Sequence, residues 1–192
     1  MKLLFATNNI HKVKEIRHAL NRRITLVTLH DIGFEGDIPE TGKTIKDNAV
    51  QKASFIHNHY RINCFADDTG LEIDALNGEP GVFSARYAGE SCNFEDNIRK
   101  VLSAMRNQHN RKARFRTVIA LILNDKLLTF EGVVEGMILY KKRGDSGFGY
   151  DPIFQPEGLN KTFAEISLEE KNKISHRATA IRKLSDFLAI SC

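Results

Sequence analysis

The chain has 192 residues, 42% of them hydrophobic and 27% charged, enough for one core and too ordinary for a disordered or fibrous protein. Its formal charge of +4 is modest and spread along the chain, and no stripe of cations interleaved with exposed aromatics marks a nucleic-acid surface. Cys64, Cys92 and Cys192 lack paired CxxC spacing, so neither a disulfide framework nor a zinc site is expected.

The opening run Met1 to Ala6 turns polar at Thr7, too short for a signal peptide or a membrane span, and predicts a cytoplasmic protein with no membrane partner. Leu3 to Ala6 reads as a buried strand, followed by helical spacing at Val13, Ile16 and Leu20. That is an α/β opening. A second helix fits residues 44–57, where Ile45, Ala49, Ala53 and Ile56 share a face and Lys46, Asp47 and Lys52 lie elsewhere. Strand signals follow at Ile62 to Ala66 and Leu71 to Ile73, then a turn-rich loop from Asn77 to Gly81 and a helix from Asn93 to Met105. Phe115 to Leu123 and Leu127 to Tyr140 read as two more strands, the second bent around Gly132 and Gly136. A last helix runs from about Ser175 to Leu188. No repeat or linker divides the chain, so one domain over 1–192 is expected.

Several segments carry groups suited to chemistry. Thr7-Asn8-Asn9-Ile10-His11-Lys12 sits where a strand hands over to a helix, a place where backbone N–H groups and the helix dipole attract anions. It lacks the GxxxxGK[ST] pattern of a P-loop, and taken alone it fits an Asn-rich helix cap equally well. Asp67-Asp68-Thr69-Gly70 follows an apolar strand with a turn expected behind it, and carboxylates there suit Mg²⁺ or a general base. A solvated Asx-turn is the alternative. Adjacent strand residues face opposite ways, so Asp67 and Asp68 should not share a role. Glu40, ahead of the second helix, offers a third carboxylate, or simply an acid near a helix terminus.

Gly144 to Pro152 packs three glycines around Phe148 and Tyr150, a loop that presents a ring suited to stacking on a base, or a turn with Phe148 in the core. Lys171-Asn172-Lys173-Ile174-Ser175-His176-Arg177 places cations at the expected start of the last helix, with Ser175 as N-cap. Cations sit badly at the positive end of a helix dipole, which points to a ligand or an acidic partner there. The clusters Arg22-Arg23 and Lys141-Lys142-Arg143 read as solvated surface.

In their shared order, Thr7 to Lys12, Pro39 to Gly42, Ala66 to Leu71, Pro80 to Gly89, Gly147 to Phe154 and Ser175 to Arg177 resemble the inosine triphosphate pyrophosphatase family over nearly the whole chain. The resemblance implies an elongated, twisted mixed sheet flanked by helices, two lobes around a nucleotide cleft, and a homodimer. It also implies hydrolysis of ITP, dITP and XTP to the monophosphate and pyrophosphate. Under it Thr7, Asn8, Asn9, Ile10, His11 and Lys12 hold phosphates, Glu40 and Asp68 serve Mg²⁺, and Asp68 accepts the proton. Thr69 touches the substrate, while Phe148, Gly149, Tyr150, Asp151, Lys171, His176 and Arg177 form the base and sugar pocket. Two competing readings are a septum-related nucleotide pyrophosphatase, which the Ser175-His176-Arg177 and Phe148-Gly149-Tyr150-Asp151 motifs oppose, and a sensor without catalysis, which Lys12, Glu40 and Asp68 oppose.

Overall fold

The computed structural model describes residues 1–20 and 24–191, with the side chains of His18, Ala19 and Ser191 left aside. Arg22-Arg23 and Cys192 lie outside the described residues. In chain order the elements are β1 (Lys2–Phe5), α1 (Ile10–Ala19), β2 (Thr25–Thr28), α2 (Ile45–Tyr60), β3 (Cys64–Ile73), α3 (Phe94–Ala104), β4 (Lys112–Leu123), β5 (Lys126–Ile138), β6 (Phe154–Pro156), α4 (Leu168–Ile174) and α5 (His176–Ser191). The strands form one six-stranded sheet in the order β2-β1-β3-β4-β5-β6. It is mixed: β1 runs parallel to β2 and β3, and β5 runs antiparallel to β6. The α/β expectation holds. Among the described residues no helix is long and apolar enough to cross a membrane.

Two compact units divide the chain, one of residues 1–68, 117–132 and 176 onward, the other of residues 69–116 and 133–175. In the first unit Leu3, Phe5, Phe65, Ile119 and Leu121 project from the sheet onto Val13 and Ile16 of α1 and Ile181, Leu184 and Leu188 of α5. Phe5 and Phe65 stack there with ring centroids 4.6 Å apart. The opposite face of β3 meets α2, where the Cys64 thiol donates to the Ala53 carbonyl at 3.3 Å. In the second unit Leu71 and Ile73 pack with Ile98 and Val101 of α3 around the aromatic set Phe115, Phe154 and Phe163.

Four elements depart from the sequence reading. The expected break between two short strands is absent, because β3 runs unbroken through Asp67, Asp68, Thr69 and Gly70. The expected last helix is present as α5 from His176, but a further helix precedes it: Ser175 is the C-cap of α4, its backbone N–H donating to the Lys171 carbonyl. Lys171 therefore lies in α4. β2 and β6 had no counterpart among the expected strands. Of the surface cluster Lys141-Lys142-Arg143, Lys142 pairs with Glu95 at 2.5 Å and Arg143 with Glu165 at 3.1 Å, as cations on a solvated face do.

Burial pushes the Cys64 thiol up to about 12, against a backbone contact at His57 that lowers it. Because the thiolate is the nucleophile, Cys64 should resist iodoacetamide at pH 8 in the folded chain while exposed Cys92 is alkylated. Peptide mass spectrometry with and without denaturant checks this; equal labelling of both in the native state would contradict the burial.

Candidate functional site

The alternation of β3 organises the first unit's polar residues. Phe65 and Asp67 share one face, Cys64, Ala66 and Asp68 the other. Asp67, fully buried, lies on the α1 and α5 side, where its Oδ1 is 3.0 Å from the Lys12 ammonium and its Oδ2 accepts from Arg177 Nε at 3.2 Å. Arg177 is also paired with Glu15, three residues beyond Lys12 on α1; Asp67, Glu15 and Arg177 are buried and Lys12 is partly so. Burial opposes ionisation throughout this network, and pairing outweighs it at Asp67 and Arg177 but not at Lys12. The Asp67 carboxyl sits well below the usual carboxylate range despite its burial, because Lys12 and Arg177 flank it. Arg177 is held above its ordinary value by Glu15 and Asp67, whereas burial lowers Lys12 in spite of Asp67. The cations at the α5 terminus thus meet acidic partners, one of the two outcomes the sequence left open.

Lys12 stands at the start of α1, whose N-cap is Asn9. Asn9 Oδ1 accepts from the backbone N–H groups of His11 at 2.9 Å and Lys12 at 3.3 Å, while its own N–H donates to Thr7 Oγ1 at 3.2 Å. Asn8 is exposed and donates to the Gly36 carbonyl at 2.9 Å, and Ile10 is exposed. The cap predicted as one alternative is present, and the Lys12 amine beyond it reaches Asp67 inside β3.

On the other face of β3, Asp68 Oδ1 is 3.3 Å from the Lys52 ammonium, which also contacts Glu40, and Asp68 Oδ2 accepts from Asn48 Nδ2 at 3.3 Å. Two carboxylates from separate segments therefore converge on one amine. Burial raises the Asp68 carboxyl, with Lys52 and Lys12 pulling it down and Glu40 pushing it further up. Lys52 is raised too: burial lowers it, and Asp68 and Glu40 outweigh burial. Among the described residues no group of three or more His, Cys, Asp or Glu side chains gathers to hold a metal. A pair of carboxylates fits Mg²⁺ nonetheless, since that ion keeps several waters and takes substrate phosphates as ligands.

In the second unit the loop Gly147-Phe148-Gly149-Tyr150-Asp151 is organised by Asp151. Its buried carboxylate accepts from the Phe148 backbone N–H at 2.9 Å and from Lys171 at 2.7 Å. Gly147 has φ +78°, and a Cβ on it would run into the Asp151 carboxylate. The loop thereby holds Phe148 half-buried with the Lys171 ammonium 5.0 Å from its ring centroid. Tyr150 is buried in the core and its hydroxyl donates to the Ser84 carbonyl at 2.8 Å. Thr69 is partly buried in β3 and His176 is buried at the first turn of α5.

The profile of the Ham1 family matches residues 3–187. The chain belongs to the Ham1 family. A Flavobacterium johnsoniae protein named dITP/XTP pyrophosphatase is 54% identical over 188 residues, covering 98% of each chain. One from Porphyromonas gingivalis with the same name is 55% identical over 188 residues, covering 97% of each. Among solved structures, the Staphylococcus aureus Ham1 protein superposes with a TM-score of 0.91 at 39% identity over 100% of both chains, and a Coxiella burnetii HAM1 protein at 0.90 and 39% over 98% of both.

This Ham1 chain brings together Lys12, Asp67 and Arg177 on one face of β3, Glu40 and Asp68 on the other, and Phe148, Asp151 and Lys171 in the second unit. Three partners of these residues were missed from sequence. Lys52, expected away from the apolar face of α2, in fact lies on it: positions 45, 48, 49, 52, 53 and 56 form one buried helical stripe, and its two polar members, Asn48 and Lys52, were the signal. Glu15 had none, since its partner Arg177 lies 162 residues away.

Proposed function

We propose that this chain hydrolyses dITP, ITP and XTP to the nucleoside monophosphate and pyrophosphate. The observation that carries the reading is the convergence of Glu40 and Asp68 on the Lys52 ammonium, one strand face away from the Lys12 and Asp67 pair. The names of the Flavobacterium and Porphyromonas relatives support the substrate class.

The chemistry follows from these groups. Glu40 and Asp68 would hold a divalent cation, Mg²⁺ in this reading; when bound, it supplies neutralising charge to the triphosphate. Lys12, with the Thr7 to His11 turn before it, binds phosphate oxygens. Asp68 takes a proton from water as the water oxygen bonds to the α-phosphorus, and the α–β anhydride bond breaks to release pyrophosphate. Positioning and electrostatics do most of the work in such phosphoryl chemistry. In the second unit Phe148 offers a face for stacking and Lys171 a cationic donor, which favours the 6-carbonyl of hypoxanthine or xanthine over the amino group of adenine. Thr69, Gly149, Tyr150, Asp151, His176 and Arg177 belong to this reading as contacts or as supports of those contacts. A homodimer in the cytoplasm, with neither nucleic acid nor membrane as partner, completes it.

Pyrophosphate release with Mg²⁺ from ITP, dITP, XTP, GTP, ATP, dTTP and UTP tests the proposal. Rapid turnover of the first three alone is expected. Equal turnover of the standard nucleotides would sink the selectivity, and tight ITP binding without release would make the chain a sensor.

A further inference from the structure

Asn48 is fully buried on α2, in a position a helix facing a sheet would ordinarily fill with an apolar side chain. Its amide is spent on two contacts. Oδ1 accepts from the Gly42 backbone N–H at 2.7 Å, and Nδ2 donates to Asp68 Oδ2 at 3.3 Å. A backbone N–H only donates, so the amide oxygen must face Gly42, and the amide nitrogen is thereby aimed at Asp68. The reversed amide would lose both bonds. The fit to the loop is close: a Cβ on Gly42 would stand 2.6 Å from Asp47 Cβ and 2.7 Å from Asn48 Oδ1.

One turn further along α2, Lys52 reaches Asp68 Oδ1 at 3.3 Å, so the two oxygens of Asp68 are engaged separately by side chains four residues apart. The loop has a second anchor, in which Gln51 accepts from the Thr41 N–H and donates to the Thr41 hydroxyl, both at 2.9 Å. Those bonds fasten the segment following Glu40 without involving Asp68.

We propose that Asn48 is a positioning residue that sets the spacing of Glu40 and Asp68 for a divalent cation. Its amide ties the Asp68 carboxylate to the backbone of the loop that carries Glu40, two residues from the point of attachment. This rests on the reading that Glu40 and Asp68 hold the cation. Hydrogen bonds that orient a ligating carboxylate typically change metal affinity about 10–100-fold when lost.

The test is the Mn²⁺ affinity of the full chain without nucleotide, read from the electron paramagnetic resonance of free Mn²⁺, for the unaltered protein, Glu40→Gln, Asn48→Ala and Gln51→Ala. Circular dichroism confirms the fold of each. Asn48→Ala is expected to weaken Mn²⁺ about 10–100-fold, and Gln51→Ala far less. Unchanged affinity in Asn48→Ala, or equal losses in Asn48→Ala and Gln51→Ala, would overturn the proposal, because a residue that merely anchors the loop predicts equality. If Asn48→Ala does not fold, Asn48→Ser carries the same comparison, and failure of both to fold would assign Asn48 to folding and overturn it as well. Absence of Mn²⁺ binding by the unaltered chain, or full affinity in Glu40→Gln, would instead bring down the cation reading itself.

Discussion

Asp68→Asn is expected to lower the rate of pyrophosphate release from dITP by about 10²–10⁴-fold, the usual contribution of a general base. The substitution keeps the shape of the side chain and an oxygen for the Asn48 amide while removing the proton acceptor and half of the carboxylate pair. It should leave the fold intact, because burial already weighs against the Asp68 charge. Steady-state kinetics alongside a thermal melt separate the two effects. A variant that melts like the parent and turns over dITP at the parent's rate would remove Asp68 from the chemistry and leave the water without its acceptor.

That role shows where sequence reasoning was strong and where it failed. Helices were legible because their apolar residues recur at the helical period, as at Ile45, Ala49, Ala53 and Ile56. The two ends of β3 were legible as strands but its middle was not, since Asp67-Asp68-Thr69-Gly70 has the composition of a turn. Strand composition is a weak constraint that tertiary partners override: Lys12 and Arg177 compensate Asp67 on one face, Lys52 and Asn48 compensate Asp68 on the other, and the strand continues between them. The two acids face opposite ways and have different partners, as strand alternation leads one to expect. α4 was missed although Ser167 and Glu170 form a capping box, a readable start signal that the cations from Lys171 to Arg177 obscured. The pairing of Arg177 with Glu15 and Asp67 lay beyond reach, because no local pattern encodes contacts between an early helix, a central strand and a final helix.

The same network predicts the largest change in stability. Asp67→Asn should destabilise the chain by about 3–5 kcal/mol, the range for removing one partner from a buried ion pair. Asn in its place cannot neutralise Lys12 and Arg177 together, which leaves Arg177 to Glu15 and Lys12 with Asp68 as its remaining acidic neighbour. Urea denaturation in a chelating buffer measures the loss as a fall in midpoint at unchanged slope. Asp96→Asn is the control: its partner Arg99 is 76% exposed, and such a surface pair contributes about 0–1 kcal/mol. The pH dependence has a defined sign. Lys12 and Arg177 hold the Asp67 carboxyl below its ordinary value in the folded chain. Stability from Asp67 is therefore complete above the ~3.9 of an unfolded aspartate and declines as pH falls toward the folded value. Asp67→Asn should flatten that acid slope as well as lower the plateau near neutrality. Equal midpoints for Asp67→Asn and Asp96→Asn, or an acid slope unaffected by the first, would mean that Lys12 and Arg177 do not depend on this carboxylate for their burial.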